Sequence, residues 1–241
     1  MLDLFATQRP DSRIIDWRSC TLRPLYFAFS FFLLLFAIDY FHLAYDWTSL
    51  LYQWEGSDWV LRNNFWFEQI FHNDIRWVNY LAVVVVILSV FNAAIFAKSR
   101  WLLRDRLLLF VSLLFCFGLV AYLKQITNMD CPWDIVDFGG NRDYYGIFSI
   151  KPESAPMGHC YPAGHASIGY AWISLYFYWH RRRPQAAKVG LAIALIAGIV
   201  LGIVQQLRGA HFFTDDITTA FVCTVISWGI FKLGRNQGVR S

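Results

Sequence analysis

Two histidines, an aspartate, a lysine and an arginine fall in three short polar clusters, each at the end of an apolar run. Lys124 leads into Asp130-Cys131-Pro132-Trp133-Asp134. Cys160-Tyr161-Pro162-Ala163-Gly164-His165-Ala166-Ser167 opens a second run. Gln205-Gln206-Leu207-Arg208-Gly209-Ala210-His211-Phe212-Phe213-Thr214-Asp215 joins two more. Pooled, these groups suit a phosphate monoester or anhydride. Lys and Arg neutralise phosphoryl oxygens, and backbone N–H groups at a helix start, near Gly164 and His165, favour an anion. One imidazole can attack phosphorus while the other protonates the leaving oxygen. Asp215 follows His211 by four residues, one helical turn, and can hold its tautomer through one ring nitrogen.

The elements that must bring these clusters together are membrane spans. The chain has 241 residues, 57% hydrophobic and only 16% charged, where a soluble domain carries about 25%. Charges gather between long uncharged stretches. Six apolar segments, at 25–44, 77–97, 106–124, 163–180, 188–207 and 212–232, predict an all-α, six-helix membrane bundle in a single domain, with the motif-bearing core at 105–230. Runs such as LAVVVVILSV are continuous rather than alternating, which excludes barrel strands. Asp3, Arg9, Asp11, Arg13, Asp16 and Arg18 interrupt the N-terminus, so the first span is expected to stay as an anchor.

Basic residues set the orientation. Fifteen of the 21 fall on one face: Arg9, Arg13, Arg18, Arg23, Lys98, Arg100, Arg104, Arg106, Arg181, Arg182, Arg183, Lys188, Lys232, Arg235 and Arg240. The other face holds Arg62, Arg76, Lys124, Arg142, Lys151 and Arg208. By the positive-inside rule both termini are cytoplasmic, and the three clusters share the outward face with the loops 45–76 and 125–162. Trp47, Trp54, Trp59, Trp66, Trp77, Trp133, Tyr144 and Tyr145 in those loops read as interfacial anchors rather than ligand contacts. Nothing in the net charge of +4 calls for a nucleic-acid partner. Taken singly, the motif residues have plainer readings: a solvated histidine, a Pro-Ala-Gly turn, an anchoring arginine. Their coincidence at one membrane depth, with Asp215 just inside an apolar run, favours a shared site.

The clusters resemble the type 2 phosphatidic acid phosphatase superfamily, whose pattern reads K-x6-R-P, P-S-G-H and S-R-x5-H-x3-D. Lys124 is followed after six residues by Cys131-Pro132, Pro162-Ala163-Gly164-His165 matches the second motif, and His211 and Asp215 end the third. The resemblance implies a phosphohistidine on His211, oriented by Asp215. It also implies proton donation by His165, phosphate held by Lys124 and the Gly164 amide, and no metal or other cofactor. Cys131 and Gln205 stand where the motifs have arginine, and Ala163 stands for serine. Arg208, three residues after Gln205, is a candidate replacement on the same helix face, and Arg142 a second. A bacterial inner-membrane lipid phosphatase with a periplasmic site is the implied function. A lipid phosphotransferase using the same intermediate, or a non-catalytic lipid-binding or transport relative, are the alternatives. If the motifs meet at one phosphate, the flanking Cys131 and Cys160 should also meet, predicting a disulfide in an oxidising compartment; two free thiols are the alternative.

Overall fold

The structure, a computed structural model, describes residues 23–97 and 99–236. Its helices are α1 (Arg23–Tyr40), α2 (Leu43–Trp54), α3 (Ile75–Phe96), α4 (Arg100–Ile126), α5 (Ser167–Tyr170), α6 (Ser174–Trp179), α7 (Pro184–Leu207) and α8 (Phe213–Asn236). On α4 the buried residues Asp105, Leu109, Ser112, Leu113, Cys116 and Val120 recur at intervals of three and four and form one stripe. Leu107, Leu114, Phe115 and Tyr122 of the same helix are exposed. An apolar outer face of that extent fits hydrocarbon rather than water.

Small residues let the helices close on one another. The buried positions of α7 include Ala187, Gly190, Ala194, Gly198 and Gly202, a stripe at three- and four-residue spacing that permits near backbone contact. A β-carbon at Gly169 would collide with the Gly198 backbone, so glycine is required where α5 crosses α7. At the centre, Ser112, Ser174 and Ser227 from three helices hydrogen-bond in a ring, 2.8 to 3.1 Å apart, each hydroxyl satisfied without water.

Six continuous spans are not what the described residues show. Four helices are long and apolar enough to cross a bilayer, and α1 with α2, bent by 55°, makes a fifth if the pair counts as one. The expected fourth span at 163–180 is not one continuous α-helix: this rod, packed between α4, α7 and α8, is broken into α5, a 3-10 turn at Ala171–Ile173, and α6. The Ser167 and Ser174 hydroxyls fold back onto carbonyls three residues earlier, which favours the tighter turn. The α1–α2 break falls at His42, which takes a left-handed φ of 54°, and just before it Asp39 accepts the Ile147 and Phe148 amides of the long loop. The stretch 45–76, expected as a loop, is mostly helical. It comprises most of α2, a 3-10 turn and a π-helical segment, Trp66–Asp74, running straight into α3. Trp54, Trp66 and Trp77 face outward as anchors would, but Trp59 is buried and donates to the Phe138 carbonyl at 3.1 Å.

The two ends of the bundle differ in charge. At one end Asp105, fully buried, pairs with Arg182 and lies 3.6 Å from Arg235 and 3.8 Å from Arg104. The ends of α4 and α8 and the α6–α7 turn therefore gather their basic residues together. Arg9, Arg13, Arg18, Lys98 and Arg240, counted on the same face, lie outside the described residues. Lys124 sits nineteen residues along α4 from Asp105, about 28 Å of helix, which is close to the thickness of a hydrocarbon core.

Candidate active site

Backbone hydrogen bonds stitch the three clusters into one unit at the Lys124 end. Trp133 donates to the Gly209 carbonyl at 2.9 Å, Ala163 to the Asp215 carbonyl at 3.2 Å, and Cys160 to the Met129 carbonyl at 3.0 Å. The Thr219 hydroxyl reaches the Ala163 carbonyl at 3.0 Å. The Tyr161 hydroxyl meets Thr218 at 2.8 Å, and burial pushes that phenol up to about 12. Cys131 and Cys160 are joined as a disulfide with their Cα atoms 5.2 Å apart. Gly209 allows the α7–α8 turn: its φ is 69° and it lies against the Trp59 ring, where a β-carbon would not fit.

The turn positions His211 and Asp215. Asp215 lies in the first turn of α8, while His211 precedes the helix, so their contact runs across the helix cap rather than along its face. His211 Nδ1 is 3.0 Å from Asp215 Oδ2, which also accepts the Phe212 amide at 3.2 Å; Oδ1 accepts the Thr214 hydroxyl at 3.3 Å. Both residues are buried. Burial first, then the Lys124 ammonium, hold the His211 imidazole down to about 3, against the opposing pull of the Cys160 carbonyl. The ring is therefore neutral near pH 7. With its proton assigned to Nδ1 by the carboxylate, the other nitrogen keeps its lone pair.

Lys124 and His165 face a cleft of about 620 Å³ between α3, α4 and the start of α5. Lys124 Nζ lies 3.9 Å from where a β-carbon at Gly164 would sit, so glycine leaves the lysine room. Ala163 is fully buried, with its amide already bonded to Asp215. Beyond the polar end the cleft is walled by Val83, Val84, Phe117 and Ile168. Tyr80 and Val84 also face outward, so the cleft opens through the side of the bundle.

Two further residues enter the site from the π-helical segment and α3. Arg76 donates through Nε and Nη2 to His165 Nε2 at 3.2 and 3.0 Å, and its Nη2 lies 2.9 Å from His72 Nε2. The His72 and His165 rings stack with centroids 3.8 Å apart, and His72 Nδ1 lies 3.2 Å from Gln205 Nε2. In the sequence, Arg76 reads only as one of six outer-face cations. The usable signal was the four-residue spacing from His72 just before an apolar run, in a chain short of two motif arginines.

The other expected residues lie elsewhere. Arg208 caps α7 and, as the spacing implies, meets Gln205, at 3.3 Å; its Nε goes to the Arg62 carbonyl at 3.0 Å, and it does not line the cleft. Arg142 is committed to Asp130 at 2.5 Å and to the Met157 carbonyl at 3.3 Å. Lys151 closes on the other oxygen of Asp130 at 2.5 Å. Asp130 thus works as a buried clamp for the long loop, and Arg142 is not brought to the histidines.

A histidine–aspartate pair, a lysine and a second histidine, joined from three chain segments in fixed order, invite comparison with known proteins. A lipid A 4'-phosphatase of Francisella tularensis subsp. novicida (strain U112) is 22% identical over 213 residues, covering 86% of this chain and 91% of that protein. The crystal structure of a transmembrane PAP2-type phosphatidylglycerolphosphate phosphatase from Bacillus subtilis superposes with a TM-score of 0.58 at 14% identity, covering 90% of this chain and 98% of the other. It shares the fold. Residues 105–238, the stretch holding all three clusters, match the sequence profile of the PAP2 superfamily, and the chain belongs to that family.

Proposed function

We propose that the protein is a lipid phosphatase that removes a phosphate monoester or pyrophosphate group from a membrane lipid at the periplasmic face, through a phosphohistidine on His211. The observation that carries this reading is the shape and chemistry of the cleft. Its cationic end holds Lys124 and Arg76 beside His165, its walls are apolar, and it opens sideways between helices whose outer faces suit lipid. A phosphorylated headgroup fits the polar end while its chains stay in hydrocarbon. The family relatives named as phosphatases of lipid A and of phosphatidylglycerolphosphate support the substrate class.

In the first step the free ring nitrogen of His211 bonds to phosphorus and the bond from phosphorus to the leaving oxygen breaks. His165, protonated by the incoming phosphate monoanion, gives that oxygen its proton, and Lys124 with the Gly164 amide holds the phosphoryl oxygens. In the second step water attacks phosphorus, His165 takes its proton, and the bond to His211 breaks to release inorganic phosphate. Asp215 holds the His211 tautomer throughout and stabilises the positive charge the ring acquires. The charges needed are supplied by side chains, without a metal.

The test is phosphate release by purified protein on phosphatidate, phosphatidylglycerophosphate, undecaprenyl pyrophosphate and lipid A, each with and without an added acceptor lipid. We expect release from at least one lipid, abolished by His211→Ala. Retention of full activity in His211→Ala would overturn the mechanism. Transfer to the acceptor in place of release would establish a phosphotransferase. Cysteine labelling in intact cells, positive at 145 and negative at 185, tests the orientation, and the reverse pattern would place the site in the cytoplasm.

A further inference from the structure

We propose that Arg76 is the phosphate-binding guanidinium of this site, supplied from outside the three motifs in place of the arginines that Cys131 and Gln205 replace. The proposal rests on the lipid-phosphate reading above. Arg76 shares the cleft with Lys124 and Gly164, and its side chain is only partly exposed. Among the described residues its hydrogen-bond partners are two imidazoles, and no carboxylate pairs with it. Its Nη1 makes no hydrogen bond there. A half-buried guanidinium that meets only neutral acceptors keeps its charge for an incoming anion, and its planar fork matches two phosphoryl oxygens at once.

The backbone that delivers Arg76 is itself unusual. The π-helical turn Trp66–Asp74 ends two residues before it, and such widened turns are rare and frequently found at functional sites. The turn aims His72 and Arg76 at the same point, where His72 stacks on His165 and Arg76 caps it. Arg208 does not line the cleft, and its guanidinium is engaged by the Arg62 carbonyl and Gln205. When a phosphoryl group enters, Arg76 can pass from His165 Nε2 to the phosphoryl oxygens. That nitrogen is then free to take the proton of an incoming phosphate monoanion and pass it to the leaving oxygen.

The experiment measures binding of inorganic phosphate to detergent-solubilised wild type, Arg76→Gln, Arg76→Lys and Arg208→Gln by calorimetry, beside phosphate release from the phosphorylated lipids. Arg76→Gln should weaken phosphate binding by at least about tenfold. Arg76→Lys should recover part of it, and Arg208→Gln should leave it little changed. Equal phosphate affinity in Arg76→Gln and wild type, with wild type active, would overturn the Arg76 assignment while the functional reading stands. Wild type that neither binds phosphate nor releases it from any lipid would bring down the reading and Arg76 with it. Should Arg76→Gln not fold, butanedione modification of wild type decides the question. Phosphate must then protect Arg76 in the peptide mass map, and protection of Arg208 or Arg142 instead refutes the proposal.

Discussion

Replacing Asp215 separates its two structural roles. Its Oδ2 accepts both the His211 ring and the Phe212 amide that starts α8, while Oδ1 accepts the Thr214 hydroxyl. Asp215→Asn can keep all three contacts: the amide oxygen replaces Oδ2, and its NH2 donates to the Thr214 hydroxyl. What disappears is the negative charge beside a ring that, in the proposed mechanism, becomes cationic when it bonds to phosphorus. A hydrogen bond to a charged group contributes about 1.5–3 kcal/mol and a neutral one about 0.5–1.5. The difference of about 1–2 kcal/mol corresponds to a rate loss of roughly five- to thirtyfold. If the amide instead turns its NH2 toward the ring and imposes the wrong tautomer, the loss rises toward about 10⁴. Asp215→Ala adds a buried, unpaired Phe212 N–H, worth about 1–3 kcal/mol of stability. The assay is single-turnover phosphate release with thermal unfolding of each variant. We expect Asp215→Asn to lower kcat with little change in unfolding, and Asp215→Ala to lower both. Full kcat in Asp215→Asn, with loss only in Asp215→Ala, would show that Asp215 caps α8 and takes no part in the chemistry.

Asp105→Ala leaves Arg182, Arg235 and Arg104 without their shared carboxylate; it should destabilise the bundle by about 3–5 kcal/mol, read from unfolding in detergent. His211 binds a proton only near pH 3 when folded, whereas the unfolded chain binds one near 6.5, so its contribution is complete above that pH and stability falls as pH drops toward 3. By pH 5 the loss is about 2 kcal/mol, and His211→Gln should flatten that acid limb; an unchanged limb would refute the neutral, buried ring.

The motif residues were legible because their chemistry is local in sequence. The order Lys124, His165, His211, Asp215 and their place at span ends required only apolar runs and spacing. The His211–Asp215 contact survives although the helix begins after His211, because an N-terminal cap brings the fourth residue back as a helical turn does. Less was legible where tertiary contacts decide. No proline or glycine marks the break at His42; the Asp39 grip on the loop at 147–148 lies 108 residues away in sequence. The rod at 163–180 is apolar enough to read as a continuous span, yet it is wrapped by α4, α7 and α8, and its serines tighten its turns. Arg76 was hidden for another reason: one arginine ahead of an apolar run has the sequence signature of an anchor, and only the histidines around it in space distinguish it.

The contrast between the bundle's ends bears on how the site binds. At the Asp105 end, buried cations share a carboxylate inside the protein. At the Lys124 end, the buried carboxylate facing His211, Asp215, is already engaged by His211, Phe212 and Thr214. Lys124 and Arg76 form no ion pair with it among the described residues. Holding two half-buried cations without a counter-ion costs folding free energy. On the proposed reading a phosphate dianion supplies that counter-ion, so part of the cost is returned as binding energy. That energy increases further as charge builds on the phosphoryl oxygens in the transition state. The loss of two motif arginines is then a relocation of charge rather than its removal. The guanidinium arrives from the π-helical side of the cleft, next to the helix faces where a lipid would enter.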